Sequence, residues 1–508
     1  MNYSAASFAM LALPCSVALA QPDPLLDLWV YNSSGRVGSG NTVCIDNQVN
    51  AILADVTRLR FTAADVYVNA ESIPGYTIGD WNPPSGMPPF INVPQAQCHL
   101  RRIPRSPVEA VMQEDVGLGP IGIWVNGVAV FSAADGNSPT GWPDWHQNAC
   151  VLEVDNFDDA MGHPTENNPA IECPPEGPCC RPAGPACPTV LSGIYHHHCS
   201  PIGLRAQLGD DGGCHSPLLG FAFDGFPIYG PYAYSDPDDA MSVVVRMRSG
   251  YDLRHMRTGG PSEVDYPLGS FIEDFDFVGG PGRLDRHNGR HCVTPEFPAG
   301  TYAYFTTLDA SANPEYPYII GPQYKGVVID DNIYPNPPAT VPADAEEYTP
   351  IHELPCPTIC RGPTDRRACR RGTATFDVRV RYGTAVTYRW LKDGVPLTDG
   401  PTGTGSVIAG ATTRTLLLTD VFRIDEGQYA CRVNGDCGVI TSNSASLAVC
   451  APDINCDGMV TSQDFFDFLA CFFAPSPPPC SHRDFNRDGI ANSQDFFDFI
   501  AAFFAGCP

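Results

Sequence analysis

The chain has few basic residues and no long hydrophobic segment beyond its N-terminus, and both deficits exclude functions. Lys and Arg number 30 against 57 Asp and Glu, which gives a formal net charge of −27 over 508 residues. A surface of that sign repels phosphates, so nucleic acids and anionic membranes are disfavoured as partners. No stretch after residue 20 is apolar for long enough to cross a bilayer, and no transmembrane segment is predicted.

The sequence also lacks the short motifs of several large enzyme classes. It contains no P-loop, no G-x-S-x-G, no H-E-x-x-H and no dinucleotide-binding glycine fingerprint. Enzymes that depend on these motifs are therefore disfavoured. A glycosidase with two catalytic carboxylates stays open, because its residues need no local motif.

A sustained helical period is missing from the first 340 residues. Short alternating segments are separated instead by many of the chain's 48 Gly and 51 Pro. Strands are predicted at 242–248 and 300–307, and Asn126-Gly127 predicts the two-residue turn of a hairpin over 121–131. The sequence thus predicts a mainly β protein.

The N-terminus and the cysteines predict export. Residues 1–20 are typical of a secretory signal, with an Ala18-Leu19-Ala20 cleavage site. One of 21 cysteines lies in this segment, which leaves 20. An exported chain with many cysteines is expected to form disulfides, whose pairing the sequence does not reveal. We predict a secreted, extracellular or surface-associated protein. A Pro- and Gly-rich segment predicts a disulfide-stapled loop at Cys173, Cys179, Cys180 and Cys187.

Three of the twelve histidines are consecutive, at His196, His197 and His198. Gly193 and Pro201 bound this stretch, which predicts a short extended segment. Side chains at i and i+2 of a strand point the same way, so the first and third imidazoles can reach a single ion.

A third histidine is needed to complete such a site, and His163 and His215 are the candidates. Neutral imidazoles in an oxidising compartment suit Cu²⁺ or Zn²⁺. The spacing leaves open a purely structural role, in which the rings are buried and bonded to backbone carbonyls.

Several other polar residues in this region have alternative roles. His287 and His291 form a second pair if their segment is helical, although Gly289 favours a loop. Asp224 is expected to form a turn. Two roles are open for Asp285, Arg290 and Glu296: they are acid–base groups, or they belong to a buried ion-pair network.

Residues 120–326 resemble the YHYH domain, a secreted family named for a Tyr-His-Tyr-His strand. Here the motif is Tyr195-His196-His197-His198, with the third letter altered. The segments that carry the resemblance also include 162–164, 215–231, 251–254, 284–291, 294–305 and 316–321. The resemblance implies a β-rich domain over about 21–340 and implies no particular reaction. A linker rich in Pro and acidic residues is predicted at 341–355.

Residues 356–450 combine an inward-facing Trp with a D-x-G-x-Y-x-C motif. Trp390 precedes Asp425-Glu426-Gly427-Gln428-Tyr429-Ala430-Cys431. This segment resembles an immunoglobulin-type β-sandwich, with Tyr429 as the tyrosine corner. Val378 stands near the place of the partner cysteine, so the usual inter-sheet disulfide is in doubt. Cys369 with Cys437 is a candidate substitute.

The last 58 residues contain a duplicated, oxygen-rich loop with a period of 31 residues. Each copy places acidic or amide oxygens at loop positions 1, 3 and 5, Gly at 6, a backbone carbonyl at 7 and Asp at 12. This is the ligand pattern of a Ca²⁺ loop, so two calcium sites are predicted. The first comprises Asp453, Asn455, Asp457, Met459 and Asp464, and the second Asp484, Asn486, Asp488, Ile490 and Asp495.

Each loop leads into an identical Ser-Gln-Asp-Phe-Phe-Asp-Phe sequence with helical apolar spacing. Residues 451–508 therefore resemble a type I dockerin, a small all-α pair of EF-hand-like units. The resemblance implies docking onto a cohesin-like protein; anchoring to a cell-surface protein or export sorting is the alternative. It implies that loop positions 10 and 11 carry recognition, which here are Ser462, Gln463, Ser493 and Gln494.

Three functions are compatible with these features. The first is an exported protein that binds a transition metal through its histidines, with a calcium-binding tail for anchoring or assembly. The second is an extracellular enzyme, glycoside-hydrolysing or metal-dependent, delivered to a polysaccharide-degrading assembly. The third is a structural surface protein without a transition metal.

Overall fold

A computed structural model describes residues 23–38, 52–79, 94, 97, 99–138, 141–165, 193–333, 339–383, 386–474 and 482–507. The predicted signal at 1–20 and the predicted disulfide-stapled loop at 173–187 lie outside these ranges. Within them, no helix is long and apolar enough to cross a membrane.

The first part of the chain is built from short strands. They are β1 Val56–Phe61, β2 Asp65–Ala70, β3 His99–Pro104, β4 Pro120–Trp124, β5 Ala129–Phe131, β6 Ala134–Asn137, β7 His146–Asn148, β8 His163–Pro164, β9 Tyr195–His197, β10 Leu218–Ala222, β11 Pro227–Tyr229, β12 Tyr232–Tyr234, β13 Val244–Arg246, β14 Tyr251–Leu253, β15 Phe275–Phe277, β16 Gly289–Cys292, β17 Thr301–Phe305 and β18 Glu346–Tyr348. Helices are few and short: α1 Pro24–Asp27, α2 Ala149–Leu152 and α3 Ile202–Gln207, with 3₁₀ turns at Val154–Asn156, Ile272–Asp274 and Asp330–Asn332.

Two sheets share one hydrophobic core. The larger has eight strands in the order β16-β17-β11-β10-β4-β5-β9-β8, and the smaller has four in the order β18-β1-β2-β3. Strand β10, with all five residues buried, lies near the middle of the larger sheet, whereas β9 and β8 form one edge. The mainly β prediction is confirmed, and the histidine stretch lies at a sheet edge.

The hairpin predicted over 121–131 forms between β4 and β5. Its turn differs from the predicted two-residue form. The amide of Gly127 donates to the carbonyl of Trp124 at 2.8 Å, so Val125 and Asn126 are the central residues. Gly127 follows them with φ +78°, a left-handed conformation that glycine adopts without strain.

Part of the segment predicted as a linker packs on the first sheet. Strand β18 pairs antiparallel with β1. Five residues later, Glu353 accepts hydrogen bonds from the backbone amides of Ser33 and Ser34 at 2.9 and 2.7 Å. The Pro-rich composition at 341–355 therefore coexists with ordered pairing.

The next domain contains strands β19 Thr358–Arg361, β20 Arg366–Cys369, β21 Ala374–Asp377, β22 Arg379–Arg381, β23 Thr387–Lys392, β24 Val395–Pro396, β25 Gly400–Pro401, β26 Val407–Ala409, β27 Thr415–Thr419, β28 Gly427–Gly435, β29 Gly438–Thr441 and β30 Ala445–Cys450, with a 3₁₀ turn at Arg423–Asp425. A six-stranded sheet and a four-stranded sheet enclose a separate core.

Trp390 and Tyr429 occupy the positions expected from the immunoglobulin-type resemblance. Both are buried, and the Tyr429 hydroxyl donates to the carbonyl of Asp425 at 2.6 Å. Cys431 is a free, buried thiol in the same core as Val378. The doubt about the inter-sheet disulfide is therefore confirmed.

The predicted Cys369–Cys437 pairing is wrong. Cys369 bonds to Cys456, and Cys437 bonds to Cys356. Sequence gives no register between strands this far apart, so the pairing was open to error. Five disulfides join described cysteines: Cys150–Cys199, Cys214–Cys360, Cys356–Cys437, Cys369–Cys456 and Cys450–Cys507. They fit an extracellular protein.

The C-terminal repeat forms two helices, α4 Ser462–Phe472 and α5 Ser493–Ala505. Each begins with a capping box, in which Thr461 or Asn492 accepts from the backbone two residues on while Asp464 or Asp495 bonds back. Phe468 and Phe499 stack between the helices with ring centroids 3.9 Å apart.

Candidate functional site

Three imidazoles meet at the edge of the eight-stranded sheet. Strands β8 and β9 pair antiparallel with His163 opposite His196. Directly opposed residues point to the same face, and so does His198, two positions further along the extended chain. One potential ligand atom from each of the three residues lies within 4.8 Å of the others.

The hydrogen bonds of two of these rings determine which nitrogens face inward. Nδ1 of His196 is 2.8 Å from the carbonyl oxygen of Ile194, and Nδ1 of His198 is 2.5 Å from that of Ser132. A carbonyl only accepts, so both Nδ1 atoms carry the proton. The two Nε2 atoms lie 2.9 Å apart. In neutral rings both are lone-pair acceptors, and a cation between them is the arrangement that removes their repulsion.

Burial keeps the cluster neutral. It lowers the pKa of His163 to about 2 and that of His198 to about 4, and it holds the pKa of His196 well below its usual range. Nearby imidazoles lower the pKa of His163 and His196 further. Near neutral pH the three rings therefore offer the unprotonated nitrogens that transition metals bind.

Glu153 adds a carboxylate to the three imidazoles. Its Oε2 lies 3.5 Å from Nε2 of His163 and 3.4 Å from Nε2 of His198. Because the rings are neutral, these contacts are not ion pairs. At His198, whose Nε2 carries a lone pair because its Nδ1 donates to Ser132, a carboxylate at this distance is a further arrangement that a cation stabilises.

A disulfide connects the two segments that supply Glu153 and His198. Cys150 lies in α2, whose C-terminal cap is Glu153, and it bonds to Cys199, the residue after His198. The bond ties the carboxylate segment to the end of the histidine strand. Two phenylalanines border the rings: Phe131 stacks on His196 at 3.8 Å, and Phe157 lies 5.0 Å from His163 between centroids.

His215 and His197 lie outside the cluster. Nδ1 of His215 is 2.9 Å from the carbonyl of Ser216, and its ring packs on Tyr229 and Tyr234. Of the two candidates for a third imidazole, the structure brings His163 to the other two and not His215. The altered motif letter, His197, points to the opposite face of the strand, against Trp124.

The other polar candidates have structural surroundings. His287 bonds to the carbonyl of Gln323 at 2.8 Å, whereas His291 is exposed on β16 and pairs with Glu109. His287 lies in the turn before β16 and His291 lies within β16, so the helical pair does not form. Asp224 is buried in the turn expected for it and accepts from the Tyr304 hydroxyl at 2.6 Å.

Glu296 belongs to an ion-pair network between the first two domains. Its Oε1 lies 3.0 Å from Nη1 of Arg381 and accepts from the Tyr382 hydroxyl at 2.8 Å, while Tyr229 donates to Oε2 at 3.0 Å. The disulfide Cys214–Cys360 joins the same two domains. Of the two roles left open for Glu296, the structure supports the ion pair. Its partner, Arg381, lies in the other domain.

The two duplicated loops share one backbone conformation. Gly458 and Gly489, at position 6, have φ +88° and +89°, and Cys456 and Arg487, at position 4, have φ +61° and +64°. Asp464 is buried and accepts from the amide of Ile454 at 2.8 Å. In the second loop, buried Asp495 accepts from the amide of Asn486 at 3.0 Å.

The predicted recognition residues lie exposed at the starts of the two helices. Gln463 donates to Asp467 at 2.8 Å and Gln494 to Asp498 at 2.9 Å, one turn along each helix. Ser462 and Ser493 are exposed beside them. The repeat is fixed to the preceding domain by the disulfides Cys369–Cys456 and Cys450–Cys507.

Sequence reasoning missed Glu153 and Asp135. One ligand atom from each lies within 4.8 Å of the other and of His198. Neither residue belongs to a motif. The pairing of Cys150 with Cys199 is the signal that would locate Glu153, and the sequence does not reveal that pairing.

Comparison with known families supports the YHYH resemblance over part of the chain. A family model described as "YHYH protein" matches residues 188–317. This range is less than half of the chain; it includes His196 and His198 and leaves out His163. No curated protein matches the chain.

Solved immunoglobulin-like structures are similar to a small part of the chain. The I-band fragment I67-I69 from titin is 24% identical with a TM-score of 0.16, over 18% of this chain and 32% of that one. The titin M3 domain is 25% identical with a TM-score of 0.16, over 18% of this chain and 95% of that one. The Ig1-2 module of the Drosophila receptor protein tyrosine phosphatase DLAR is 18% identical with a TM-score of 0.16, over 18% and 45%. The chain thus spans about a third of the first multidomain fragment.

Proposed function

We propose that this chain is an extracellular metal-binding protein whose His163, His196 and His198 bind one transition-metal ion, Cu²⁺ or Zn²⁺. The observation that carries the proposal is the pair of Nε2 atoms 2.9 Å apart, both unprotonated because each Nδ1 donates to a carbonyl. Such backbone bonds orient metal-binding histidines and fix the tautomer that leaves Nε2 for the ion. Glu153 supplies a fourth, anionic group beside them.

Metal content after dialysis against Cu²⁺ or Zn²⁺ tests the proposal. The wild-type chain should retain about one ion per molecule, and the His196→Ala/His198→Ala variant should lose it. His291→Ala is the matched control, because it removes an exposed imidazole outside the cluster. Ion binding to the folded state also raises the melting temperature. A wild-type chain that neither retains the ion nor melts at a higher temperature contradicts the proposal.

We propose a second function for the C-terminal repeat, the binding of two Ca²⁺ ions. The first site comprises Asp453, Asn455, Asp457, Met459 and Asp464, and the second comprises Asp484, Asn486, Asp488, Ile490 and Asp495. The observation that favours it is the burial of three carboxylates, Asp453, Asp464 and Asp495, in a small unit with few basic residues. Backbone amides of the same loops orient these carboxylates, with bonds from Gly458 to Asp453, from Ile454 to Asp464 and from Asn486 to Asp495. Carboxylate oxygens held in a loop of this ligand pattern suit Ca²⁺.

The calcium-loaded repeat would present Ser462, Gln463, Ser493 and Gln494 to a cohesin-like or cell-surface protein. Calcium titration of the full chain, followed by a pull-down with and without chelator, tests both steps. Two Ca²⁺ ions per chain are expected, and partner capture should require them. Release of soluble sugar from plant or algal glycans would instead support the enzyme alternative.

A further inference from the structure

Two overlapping groups of potential ligands share His198. One group is His163, His196 and His198, and the other is Asp135, Glu153 and His198. Nδ1 of His198 is engaged by the carbonyl of Ser132, so its Nε2 is the nitrogen available to both groups. A single imidazole nitrogen binds one ion at a time. The two groups are therefore alternative positions for one ion.

The fold places the two carboxylates on the same side of the imidazole cluster. Strands β6 and β7 form an antiparallel pair, with Ala134 opposite Asn148. Asp135 follows the first of these residues, and β7 leads directly into α2 and Glu153. The amide of Ala149 also donates to the carbonyl of Ala133 at 3.0 Å, which holds the start of α2 against the same hairpin.

Solvent exposure falls from the carboxylates to the rings. Asp135 is exposed, the Glu153 side chain is 20% exposed, and the His198 side chain is 2% exposed. The rings of His163 and His196 are also buried. An ion from solvent can therefore meet carboxylates first and imidazoles last. Negative charge at the mouth of a buried site concentrates cations and accelerates their capture.

We propose that Asp135 and Glu153, together with Nε2 of His198, form an outer position that captures a divalent transition-metal ion before it moves to the three imidazoles. Glu153 faces both positions, since its Oε2 lies 3.5 Å from Nε2 of His163 and 3.4 Å from Nε2 of His198. Asp135 belongs to the outer position alone. This inference rests on the proposed imidazole site.

Co²⁺ uptake by the full, disulfide-intact chain tests the outer position. The visible absorption of Co²⁺ reports its ligands, so mixing experiments give both a rate and an affinity. In Asp135→Asn the uptake rate should fall about tenfold at low ionic strength and converge with wild type as salt screens the carboxylate. The equilibrium affinity should stay close to wild type. Asp155→Asn is the matched control, because Asp155 is exposed near Glu153 and outside both groups.

A second variant isolates the outer position. In His196→Ala, a weaker Co²⁺ site should remain, and adding Asp135→Asn should remove it. The calcium loops are identical in all these variants, so any Co²⁺ they bind cancels in the comparison. Equal uptake rates for Asp135→Asn and Asp155→Asn would overturn the outer position and leave the imidazole site standing. A wild-type chain without stoichiometric Co²⁺ binding would overturn both.

Discussion

Cys150 and Cys199 join the two segments that surround the imidazole cluster, one ending at Glu153 and the other following His198. The two cysteines are 49 residues apart in sequence, and their Cα atoms are 6.1 Å apart. Neither sulfur is among the potential ligands of the cluster. The disulfide therefore affects the site only by holding these two segments in place.

Removing this disulfide should weaken metal binding while leaving every ligand in place. In Cys150→Ser/Cys199→Ser we expect the affinity for Zn²⁺ to fall by about tenfold to a hundredfold, as it does when supporting interactions around a metal site are lost. Competition with a chromophoric chelator measures the affinity. Cys356→Ser/Cys437→Ser, which removes a disulfide of the second domain, is the control. Equal affinities of the two double variants would contradict the positioning role.

Glu153→Gln should reduce metal affinity, because it keeps the shape of the side chain and removes the charge that faces two imidazoles. We expect a loss of about tenfold or more, similar to the removal of a group that supports a metal ligand. Glu114→Gln removes an equivalent charge at an exposed position and should have no effect. The same chelator competition distinguishes them. If both variants bind the metal like wild type, Glu153 is neither a metal ligand nor a source of favourable electrostatic potential at the site.

The sequence predicts the part of the site that depends on local geometry. Alternation along a strand is enough to place His196 and His198 on one face. Which histidine is the third depends on the register between β8 and β9. The chain between these strands runs from Thr165 to Ile194, and local spacing does not determine how the two strands align. Sequence spacing therefore left His163 and His215 as equal candidates.

Long-range pairings limit prediction elsewhere too. Glu153 reaches the cluster through the β6–β7 pair and a disulfide, neither of which leaves a motif. The Cys369–Cys437 prediction fails for the same reason. By contrast, Tyr429 and the absence of a disulfide at Cys431 follow from spacing within one domain, and the structure confirms both.

The interface between the first two domains depends on a buried ion pair. Arg381→Met leaves Glu296 buried without its charged partner and should lower the free energy of unfolding by about 3–5 kcal/mol. Glu296→Gln/Arg381→Met removes both charges and should recover part of this loss. Denaturant unfolding measures both effects. A double variant no more stable than Arg381→Met would show that packing, and not the unpaired charge, dominates.

Asp224 should make the first domain less stable as the pH rises. Burial raises the pKa of its carboxyl to about 6. Hydrogen bonds from Tyr304 and from the Gly326 and Phe226 amides lower the pKa but do not offset the effect of burial. Its unfolded pKa is close to 4, so between about pH 4 and 6 the folded state holds the additional proton. The stabilisation of the folded state by protonated Asp224 is fully present below about pH 4 and is lost as the pH rises through 6. Two pKa units correspond to roughly 3 kcal/mol.

Asp224→Asn should therefore lack this dependence. Thermal unfolding at several pH values, with calcium held constant, should show wild type losing stability relative to the variant between pH 4 and about 7. A constant difference between the two proteins would mean that Asp224 titrates alike in the folded and unfolded states.

The stack of Phe468 on Phe499 links the two duplicated loops, because each ring belongs to the helix that follows one loop. The centroids are 3.9 Å apart and the planes differ by 10°. Phe468→Ala removes a fully buried ring and should cost the repeat about 3–5 kcal/mol. Calcium binding and folding of such a unit are linked, so Ca²⁺ affinity should fall as well. Calorimetric titration with Ca²⁺ measures this.

Phe466→Ala is the matched control for the Phe468 variant. Phe466 lies two residues earlier on the same helix, and it is 60% exposed, so its removal leaves no cavity between the helices. It should bind Ca²⁺ with nearly wild-type affinity. The disulfides at Cys456 and Cys507 hold the repeat to the preceding domain in both variants, so a difference between them reports packing and not detachment. If both variants lose the same Ca²⁺ affinity, the loops are stabilised by their own hydrogen bonds and the helix stack does not couple them.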